Sequence, residues 1–250
     1  MAEPLKIFDL TGKVALVTGG SRGLGRSIAL GFAQCGADVI VASRKLEACE
    51  AVANEIEKMG RRALPVACHV GQWKELPALV DKTYDAFGRV DILVNNAGMS
   101  PLYPSLGDLQ EELFDKVVNV NFKGPFRLMC LVGPRMAAAG GGAVINVSSV
   151  GALRPDTWIA PYAAAKAALN ASTVAFAKTY GPQGVRVNTL SPGGFLTDVS
   201  TAWRDNEQMR GRIALRRFGE PDEILSTALY LATAPYTTGA NLVVDGGGAG

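Results

Sequence analysis

Short apolar runs alternate with longer amphipathic segments along nearly the whole chain. The apolar runs are rich in Val and Ile and are bounded by Gly, Ser, Asn or Asp, a pattern typical of buried strands. Seven such runs occur: KVALVTG, ADVIVAS, RALPVACHV, VDILVNNAG, GAVINVSS, VRVNTLSPG and ANLVVDGG. The segments with a helical period between them are 24–35, 46–59, 73–87, 111–138 and 162–180. This alternation predicts a seven-stranded parallel sheet with helices on both faces.

The segment 197–217 breaks this alternation. It reads TDVSTAWRDNEQMRGRIALRR, mixes polar with bulky residues, and is followed by a helical pattern in GEPDEILSTALYLA. We expect a substrate lid here, with a short surface helix of no function as the alternative. No linker or low-complexity block divides the chain, so residues 1–250 are expected to form a single α/β domain.

Composition and charge exclude several classes of protein. The chain is 48% hydrophobic and its formal net charge is +2, with the basic residues dispersed, so nucleic acid is not an expected partner. There is one histidine and no C-x-x-C pair, so no metal site is expected. Four unpaired thiols suit a reducing compartment. The cysteines are Cys35, Cys49, Cys68 and Cys130.

The sequence shows no targeting or membrane-spanning segment. The opening MAEPLKIFDL lacks the apolar core of a secretion signal, and no run reaches the roughly 18 apolar residues of a spanning helix. The final GGGAG is not a peroxisomal address. We therefore expect a cytoplasmic protein without a membrane partner.

The stretch TGGSRGLG, residues 18–25, fits two motifs at once. As Gly19-x-Ser21-x-Gly23 it matches the nucleophile elbow of a serine hydrolase. That interpretation needs an acid and then a histidine later in the chain, and His69 is the sole histidine, with Glu47 only a formal candidate for the acid. No second feature supports a hydrolase.

The same stretch also fits a glycine turn under a dinucleotide. The strand KVALV precedes it and the helical pattern LGRSIALGFAQCG follows, which is the context that such a turn requires. Gly19, Gly23 and Gly25 then let backbone N–H groups at the helix start approach a pyrophosphate. Ser21 becomes a turn hydroxyl in this interpretation.

The end of the second predicted strand indicates which dinucleotide is bound. NAD-binding chains place an acidic residue there, whereas this chain has Ser43, Arg44 and Lys45. Arg44 can grip a 2′-phosphate with its planar guanidinium, and Arg22 in the glycine turn adds a second charge. We therefore expect NADP as the cofactor, with NADPH preferred over NADH.

The segment PYAAAKAALNASTVAFAK places Tyr162 and Lys166 four residues apart at the start of a helix, and so on one face. An ammonium close to a phenol would lower the tyrosine pKa from about 10 towards neutrality, where it can exchange a proton with a carbonyl or alcohol oxygen. Ser149, at the end of the fifth strand, would hold the substrate oxygen beside Tyr162. Ser148 is its alternative, since only one of the pair can point into the cleft.

These motifs, in this order, resemble the short-chain dehydrogenase/reductase family over nearly the whole chain. TGGSRGLG resembles T-G-x-x-x-G-x-G, NNAG at 95–98 matches the motif of the fourth strand, and SPGGFLT resembles P-G-x-x-x-T. Ser149, Tyr162 and Lys166 fall where the catalytic residues of the family fall. By the same matching Asn121 is the fourth, holding a water in a proton relay. The resemblance implies a Rossmann-type doubly wound sheet and hydride transfer between NADP(H) and a carbonyl or secondary alcohol.

The resemblance also implies the remaining cofactor contacts. Pro192, Gly193 and Thr197 would position the carboxamide, Lys166 would bind the nicotinamide ribose, and His69, where the family commonly has Asp, would contact adenine. The full expected set is Gly19, Ser21, Arg22, Gly23, Leu24, Gly25, Ser43, Arg44, Lys45, His69, Val70, Asn96, Ala97, Gly98, Tyr162, Lys166, Pro192, Gly193 and Thr197.

The substrate class is less constrained. ASRK, CHVG and ALRRFGEP resemble an NADPH-dependent carbonyl reductase branch with retinal-reducing and dicarbonyl-reducing members, although 3-oxoacyl-thioester reductases and polyol or sugar dehydrogenases share the framework. A non-catalytic NADPH sensor is the alternative of another class. The mostly apolar residues expected to face the substrate favour a hydrophobic ketone or aldehyde. They are Met99, Ser100, Leu102, Tyr103, Arg154, Trp158, Phe195, Trp203 and Met209.

The helix that begins near Tyr162 is unusually rich in alanine, more than one buried face requires. Small side chains permit close approach of helices, and the resemblance implies that these helices pair between subunits. We expect a homotetramer, with GANLVVDGG in a second interface.

Overall fold

The computed structural model describes residues 7–198, 200 and 205–248. The strands in this part of the chain are β1 (Val14–Thr18), β2 (Asp38–Ser43), β3 (Ala63–Ala67), β4 (Ile92–Asn95), β5 (Gly142–Val147), β6 (Val185–Pro192) and β7 (Asn241–Val244). They form one sheet in the order β3-β2-β1-β4-β5-β6-β7, and every neighbouring pair is parallel. The predicted Rossmann-type architecture is confirmed.

Helices cover both faces of this sheet. Those described are α1 (Gly23–Gln34), α2 (Leu46–Lys58), α3 (Leu76–Phe87), α4 (Glu111–Val118), α5 (Gly124–Ala138), α6 (Ala160–Tyr180), α7 (Glu207–Arg212) and α8 (Leu225–Thr233). None of these described helices combines the length and the hydropathy that a membrane span needs.

Two hydrophobic cores lie on opposite sides of the sheet. Val17 and Val94 face the core shared with α1, α2 and α8. Leu16 and Leu93, their neighbours along the same strands, face the core shared with α3, α5 and α6. Because successive side chains of a strand point to opposite faces, a strand buried on both sides is apolar at every position. This explains the continuous Val and Ile runs in the sequence.

The order in which successive strands are added to the sheet reverses at the β1–β4 pair. β2 and β3 follow β1 on one side, while β5, β6 and β7 follow β4 on the other. Open parallel sheets bind ligands at the carboxyl ends of the strands beside such a reversal. Strand register aligns Thr18, Asn95 and Asn146 at this edge.

Helix α3 begins three residues later than predicted. The expected helix spanned 73–87, but α3 begins at Leu76 and has a proline in its first turn, where proline is favoured. The residues before it form a turn in which Glu75 accepts a hydrogen bond from the His69 amide at 3.0 Å. Trp73 lies in this turn, with its ring centroid 4.9 Å from the guanidinium carbon of Arg127.

A π-helical segment, Asn119–Lys123, interrupts the helix predicted over 111–138. The Gly124 amide reaches back five residues to the Asn119 carbonyl, and the Asn121 side chain donates to the Val117 carbonyl at 2.9 Å. A Cβ on Gly124 would collide with the Val70 carbonyl, so glycine is needed where the chain enters α5. Such π segments are frequent at functional sites. This one buries Asn121 beside the carboxyl edge of the sheet.

The segment 197–217 contains the six-residue helix α7 in its described part. Residues 199 and 201–204 lie outside the described residues, and with them Trp203, which we expected to face the substrate. Closure of this segment over a substrate stays a prediction.

Candidate active site

Four predicted side chains meet beside Gly98, at the carboxyl edge of the sheet. Ser149 follows β5, Tyr162 and Lys166 lie one turn apart in α6, and Asn121 comes from the π segment. A Cβ on Gly98 would lie 3.0 Å from Asn121 Oδ1 and 3.6 Å from Lys166 Nζ. A Cβ on Gly151 would lie 3.3 Å from Ser149 Oγ and 3.9 Å from Tyr162 Cε1. The sheet and α6 therefore assemble this group from three separate parts of the chain.

Ser149, rather than Ser148, lies at the cleft. Ser148 is buried, and its hydroxyl donates to the Lys166 carbonyl at 3.4 Å. Ser149 is half-buried, and its Oγ accepts a hydrogen bond from the Gly151 amide at 3.0 Å. This placement agrees with the choice made from the sequence.

The expected lowering of the Tyr162 pKa by Lys166 is wrong for the cofactor-free protein. Burial raises the pKa of Tyr162, and the hydrogen bond with Ser149 offsets only part of that rise. Lys166 Nζ lies 5.8 Å from the centroid of the tyrosine ring and donates to the Val147 carbonyl at 2.7 Å. Burial also lowers the pKa of Lys166 to about 7. Near neutral pH the lysine is only partly protonated, so its field at the phenol is weak.

The Asn121 side chain fixes the start of the loop that follows β4. Its Nδ2 donates to the Met99 carbonyl at 2.8 Å and to the Val117 carbonyl at 2.9 Å. Its Oδ1 accepts from the Met99 amide at 3.1 Å. Both amide hydrogens are therefore used within the protein, and the backbone of Met99 anchors the loop.

A buried chain of polar side chains, not predicted from the sequence, lies beneath the site. Asn95 Nδ2 donates to Asn146 Oδ1 at 2.8 Å, and Asn146 Nδ2 donates to Thr173 Oγ1 at 2.9 Å. Thr189 Oγ1 donates to the same threonine oxygen at 3.0 Å. These bonds join β4, β5 and β6 to α6, and because unpaired buried polar groups are costly they favour one position of the helix. The polar residues Asn95, Asn146 and Thr189 within the apolar runs of the sequence could have indicated this chain.

The turn after β1 is packed too closely for side chains at its glycines. Asn96 Nδ2 donates to the carbonyls of Thr18 and Gly19, at 3.1 and 3.2 Å. A Cβ on Gly19 would lie 2.8 Å from this nitrogen, and a Cβ on Gly25 would collide with it. Gly19 and Gly23 also have φ angles of 64° and 52°, which favour glycine.

Helix α1 begins directly after this turn, beside the reversal between β1 and β4. Its first turn carries no acidic residue, and Arg22 at the N-cap position provides no side-chain cap. The free N–H groups and the helix dipole favour an anion. Ser21 lies in the turn, and Leu24 packs on the core below it. These residues therefore fit the diphosphate of a dinucleotide.

Thr18 is a further member of this turn that the sequence analysis missed. Its Oγ1 accepts hydrogen bonds from the Asn96 amide at 3.1 Å and the Ala97 amide at 3.3 Å, and donates to the Val94 carbonyl at 3.2 Å. Thr18 thereby fixes the loop containing Asn96, Ala97 and Gly98 against β1. Its position directly before the glycines of the turn could have indicated this role.

Basic side chains flank the carboxyl end of β2. Arg44 and Lys45 are exposed there, and Ser43 Oγ lies 3.1 Å from Cys49 Sγ. Arg22 is also exposed and pairs with Asp198 at 3.1 Å. Positions 43–45 carry no Asp or Glu. This end of the strand therefore presents exposed positive charge and, at positions 43–45, no carboxylate.

His69 and Val70 occupy the corresponding loop after β3. His69 folds back on this loop, with Nδ1 accepting from the Gly71 amide at 3.1 Å, while Val70 is buried. Two strand spacings, about 9–10 Å, separate β3 from β1. Ser21 follows β1 and His69 follows β3, so the fold separates these two residues. This separation argues against the hydrolase interpretation.

The loop after β6 borders the glycine turn. Pro192 ends that strand, and the Gly193 amide donates to the Val244 carbonyl at 2.9 Å. A Cβ on Gly23 would lie 3.4 Å from Thr197 Cγ2. Thr197 itself is held by Ser200, whose Oγ accepts from the Thr197 amide at 3.0 Å. Of the three residues expected near the carboxamide, Thr197 thus lies beside the start of α1.

Two loops that flank Tyr162 carry most of the residues expected to face the substrate. They meet where the Tyr103 hydroxyl donates to the Thr157 carbonyl and accepts from the Ala160 amide at 2.9 Å. Four large apolar side chains on them are between 40% and 68% exposed. These are Leu102, Leu106, Leu153 and Trp158.

Phe195 does not face the substrate as expected. It is buried in the core, and a Cβ on Gly219 would lie 2.7 Å from its ring. Met209 lies half-buried in α7, Ser100 is half-buried, and Arg154 is exposed.

The chain is similar to known proteins over most of its length. The family model of the short chain dehydrogenases matches residues 13–208. Dehydrogenase/reductase SDR family member 4 of Homo sapiens is 37% identical in an alignment 244 residues long that covers 95% of this chain and 88% of the relative. The 2-dehydro-3-deoxy-D-gluconate 5-dehydrogenase of Pseudoalteromonas atlantica is 38% identical in an alignment 251 residues long that covers 97% of this chain and 98% of the relative.

Solved structures are also similar to this chain in sequence and in fold. A gluconate 5-dehydrogenase from Burkholderia cenocepacia, in complex with NADP and tartrate, has a TM-score of 0.93 and 32% identity, covering 98% of each chain. A 7α-hydroxysteroid dehydrogenase, complexed with NADH and 7-oxo glycochenodeoxycholic acid, has a TM-score of 0.94 and 34% identity, covering 99% of this chain and 98% of that one. The fold and the site define an oxidoreductase that acts on alcohol or carbonyl groups. The chain belongs to the short-chain dehydrogenase/reductase family.

Proposed function

We propose that this protein is an NADPH-dependent reductase of ketones or aldehydes with hydrophobic flanks. The observation that carries the proposal is the set of exposed apolar side chains, Leu102, Leu106, Leu153 and Trp158, on the two loops beside Tyr162. A sugar would need more hydrogen-bonding groups at this position, whereas apolar walls suit an apolar carbonyl compound.

The proposed reaction uses four side chains. Bound NADPH supplies the hydride to the carbonyl carbon. Ser149 Oγ donates a hydrogen bond to the carbonyl oxygen, and Tyr162 Oη transfers its proton to that oxygen as the alcohol forms. Lys166 binds the nicotinamide ribose and favours the phenolate left on Tyr162, while Asn121 Oδ1 keeps a lone pair for a water that returns the proton.

Turnover with a panel of carbonyl compounds tests the proposal. We expect oxidation of NADPH with aromatic ketones, vicinal diketones or retinal, and slower oxidation of NADH with the same compounds. Turnover of keto sugars or acetoacetyl thioesters alone would contradict the hydrophobic substrate class. NADPH binding without any turnover would instead favour a sensor.

The preference for NADPH gives a second prediction. Arg44→Ala is expected to raise the KM for NADPH by about tenfold to a hundredfold, because a charge-assisted hydrogen bond to the 2′-phosphate contributes about 1.5–3 kcal/mol, and to leave the KM for NADH unchanged. Steady-state kinetics with both cofactors measures the ratio.

Lys58→Ala is the matched control for the loss of one positive charge. Lys58 is exposed at the far end of α2, about 20 Å along the helix from the Arg44 side. The control should leave both KM values unchanged. An equal rise for NADPH and NADH in Arg44→Ala would mean that Arg44 does not select the phosphate.

We further propose a homotetramer in which α6 pairs between subunits. Its exposed face consists largely of small residues spaced three or four apart: Ala164, Ala167, Ala171, Val174 and Ala175. The edge strand β7 alternates exposed and half-buried positions and offers the second interface. Sedimentation at micromolar protein tests the proposal, and a monomer would contradict it.

A further inference from the structure

Helix α6, which carries Tyr162 and Lys166, begins without a cap from its own flanking residue. Ile159 occupies the N-cap position and supplies no side-chain acceptor, and Pro161 in the first turn has no N–H group. The Ala160 amide donates instead to the Tyr103 hydroxyl at 2.9 Å. A tyrosine from a distant loop thus accepts the hydrogen bond that a capping serine or aspartate usually accepts.

The same hydroxyl also restrains the turn before the helix. It donates its own hydrogen to the carbonyl of Thr157, the first residue of the 3₁₀ turn Thr157–Ile159. The donor and one acceptor position of the hydroxyl are therefore both in use. We call the Tyr103 hydroxyl, the Thr157 carbonyl and the Ala160 amide the Tyr103 clamp.

The loop that carries the Tyr103 clamp is anchored at its start. The start of the loop is fixed by the paired bonds between Met99 and Asn121. The Tyr103 ring lines a narrow crevice that Tyr162 also lines, so the two tyrosines share one packed environment. The other residues of this crevice are Pro101, Leu109, Leu113, Val117, Ile159 and Pro161.

We infer that Tyr103 is a positioning residue for Tyr162, an inference that rests on the proposed function. Tyr162 lies two residues after Ala160, so any shift of the first turn of α6 moves the Tyr162 hydroxyl relative to Ser149. A misplacement of the order of 1 Å can cost about a hundredfold in rate. The Tyr103 hydroxyl therefore acts on the reaction through the helix and not through contact with the substrate.

Tyr103→Phe removes the hydroxyl and keeps the ring. We expect kcat to fall about tenfold, with the KM values for carbonyl and NADPH within about twofold of the wild type. Amide hydrogen exchange in the peptide that covers 157–164 should become faster, with or without NADPH. Tyr236→Phe is the control, because Tyr236 is fully exposed, and it should change none of these quantities.

The two readouts separate the possible failures. Unchanged exchange at 157–164 would overturn the clamp, and unchanged kcat with faster exchange would overturn its positioning role. A raised KM for the carbonyl with kcat preserved would make Tyr103 a substrate contact and also overturn the inference. If the wild type turns over no carbonyl, the proposed function fails, and with it the positioning role, while exchange still reports whether the clamp exists.

Discussion

Tyr162→Phe is expected to lower kcat about a thousandfold and to change the dissociation constant for NADPH by less than about twofold. The substitution removes the group that transfers a proton to the carbonyl oxygen. It leaves the glycine turn, the N-terminus of α1 and the basic residues after β2 untouched. Fluorescence titration of NADPH and steady-state kinetics of its oxidation measure the two quantities on the same preparation.

The structure indicates that phenylalanine will fit at this position. Phenylalanine keeps the ring of Tyr162, and Ser149 Oγ keeps its hydrogen bond from the Gly151 amide at 3.0 Å. Tyr180→Phe, at the other end of the same helix, is the matched control and should retain wild-type kcat. If Tyr162→Phe turns over substrate at the wild-type rate, the proton donor has been wrongly assigned.

The sequence predicts the sheet well because burial on both faces makes parallel strands predominantly apolar. It predicts helix boundaries less well, since these depend on side-chain hydrogen bonds to the backbone. Glu75 accepts a hydrogen bond from the His69 amide in the turn before α3, and α3 begins later than predicted. The Asn121 side chain donates to the Val117 carbonyl where the helix widens into the π segment. The hydrophobic pattern predicts neither hydrogen bond.

The sequence likewise predicts some features of the candidate site and not others. Ser149 follows a strand and Tyr162 lies in the first turn of a helix, and parallel topology brings such positions to one edge. Asn121 lies in the π segment, which the hydrophobic pattern does not predict. The pKa of Tyr162 was wrongly predicted because spacing on a helix fixes a shared face but not where the lysine points. In the structure Lys166 Nζ reaches the Val147 carbonyl instead. Tyr103 and Phe195 were both expected to face the substrate. In the structure Tyr103 hydrogen-bonds to the first residue of α6 and Phe195 is buried in the core, so a position near the site does not by itself identify a substrate contact.

Lys166→Met is expected to lower kcat at least a hundredfold and to remove a pH dependence of stability in the cofactor-free protein. Burial lowers the pKa of Lys166 from its ordinary 10.5 to about 7. Between these values the unfolded chain holds the proton and the folded chain does not. Stability therefore rises with pH through this window, by up to about 1.4 kcal/mol per pH unit, because the unfolded state binds more protons.

Urea unfolding at several pH values between 6 and 9 measures this effect. In the difference in unfolding free energy between wild type and Lys166→Met, the contributions of the other titrating groups cancel. This difference should grow with pH in favour of the wild type. Both proteins must be compared at one concentration, because assembly shifts apparent stability. Lys178→Met removes an exposed lysine from the same helix and should keep the wild-type slope.

A flat difference would mean that the folded protein retains the Lys166 proton throughout this range, so burial would not depress its pKa. The ammonium would then persist near Tyr162 even without a cofactor, and the lower tyrosine pKa predicted from the sequence would regain its physical basis. A rising difference means instead that the lysine loses its charge when buried alone. In that case the protein can hold a charged lysine at the site only when bound ligand groups solvate it, which couples proton uptake by Lys166 to binding.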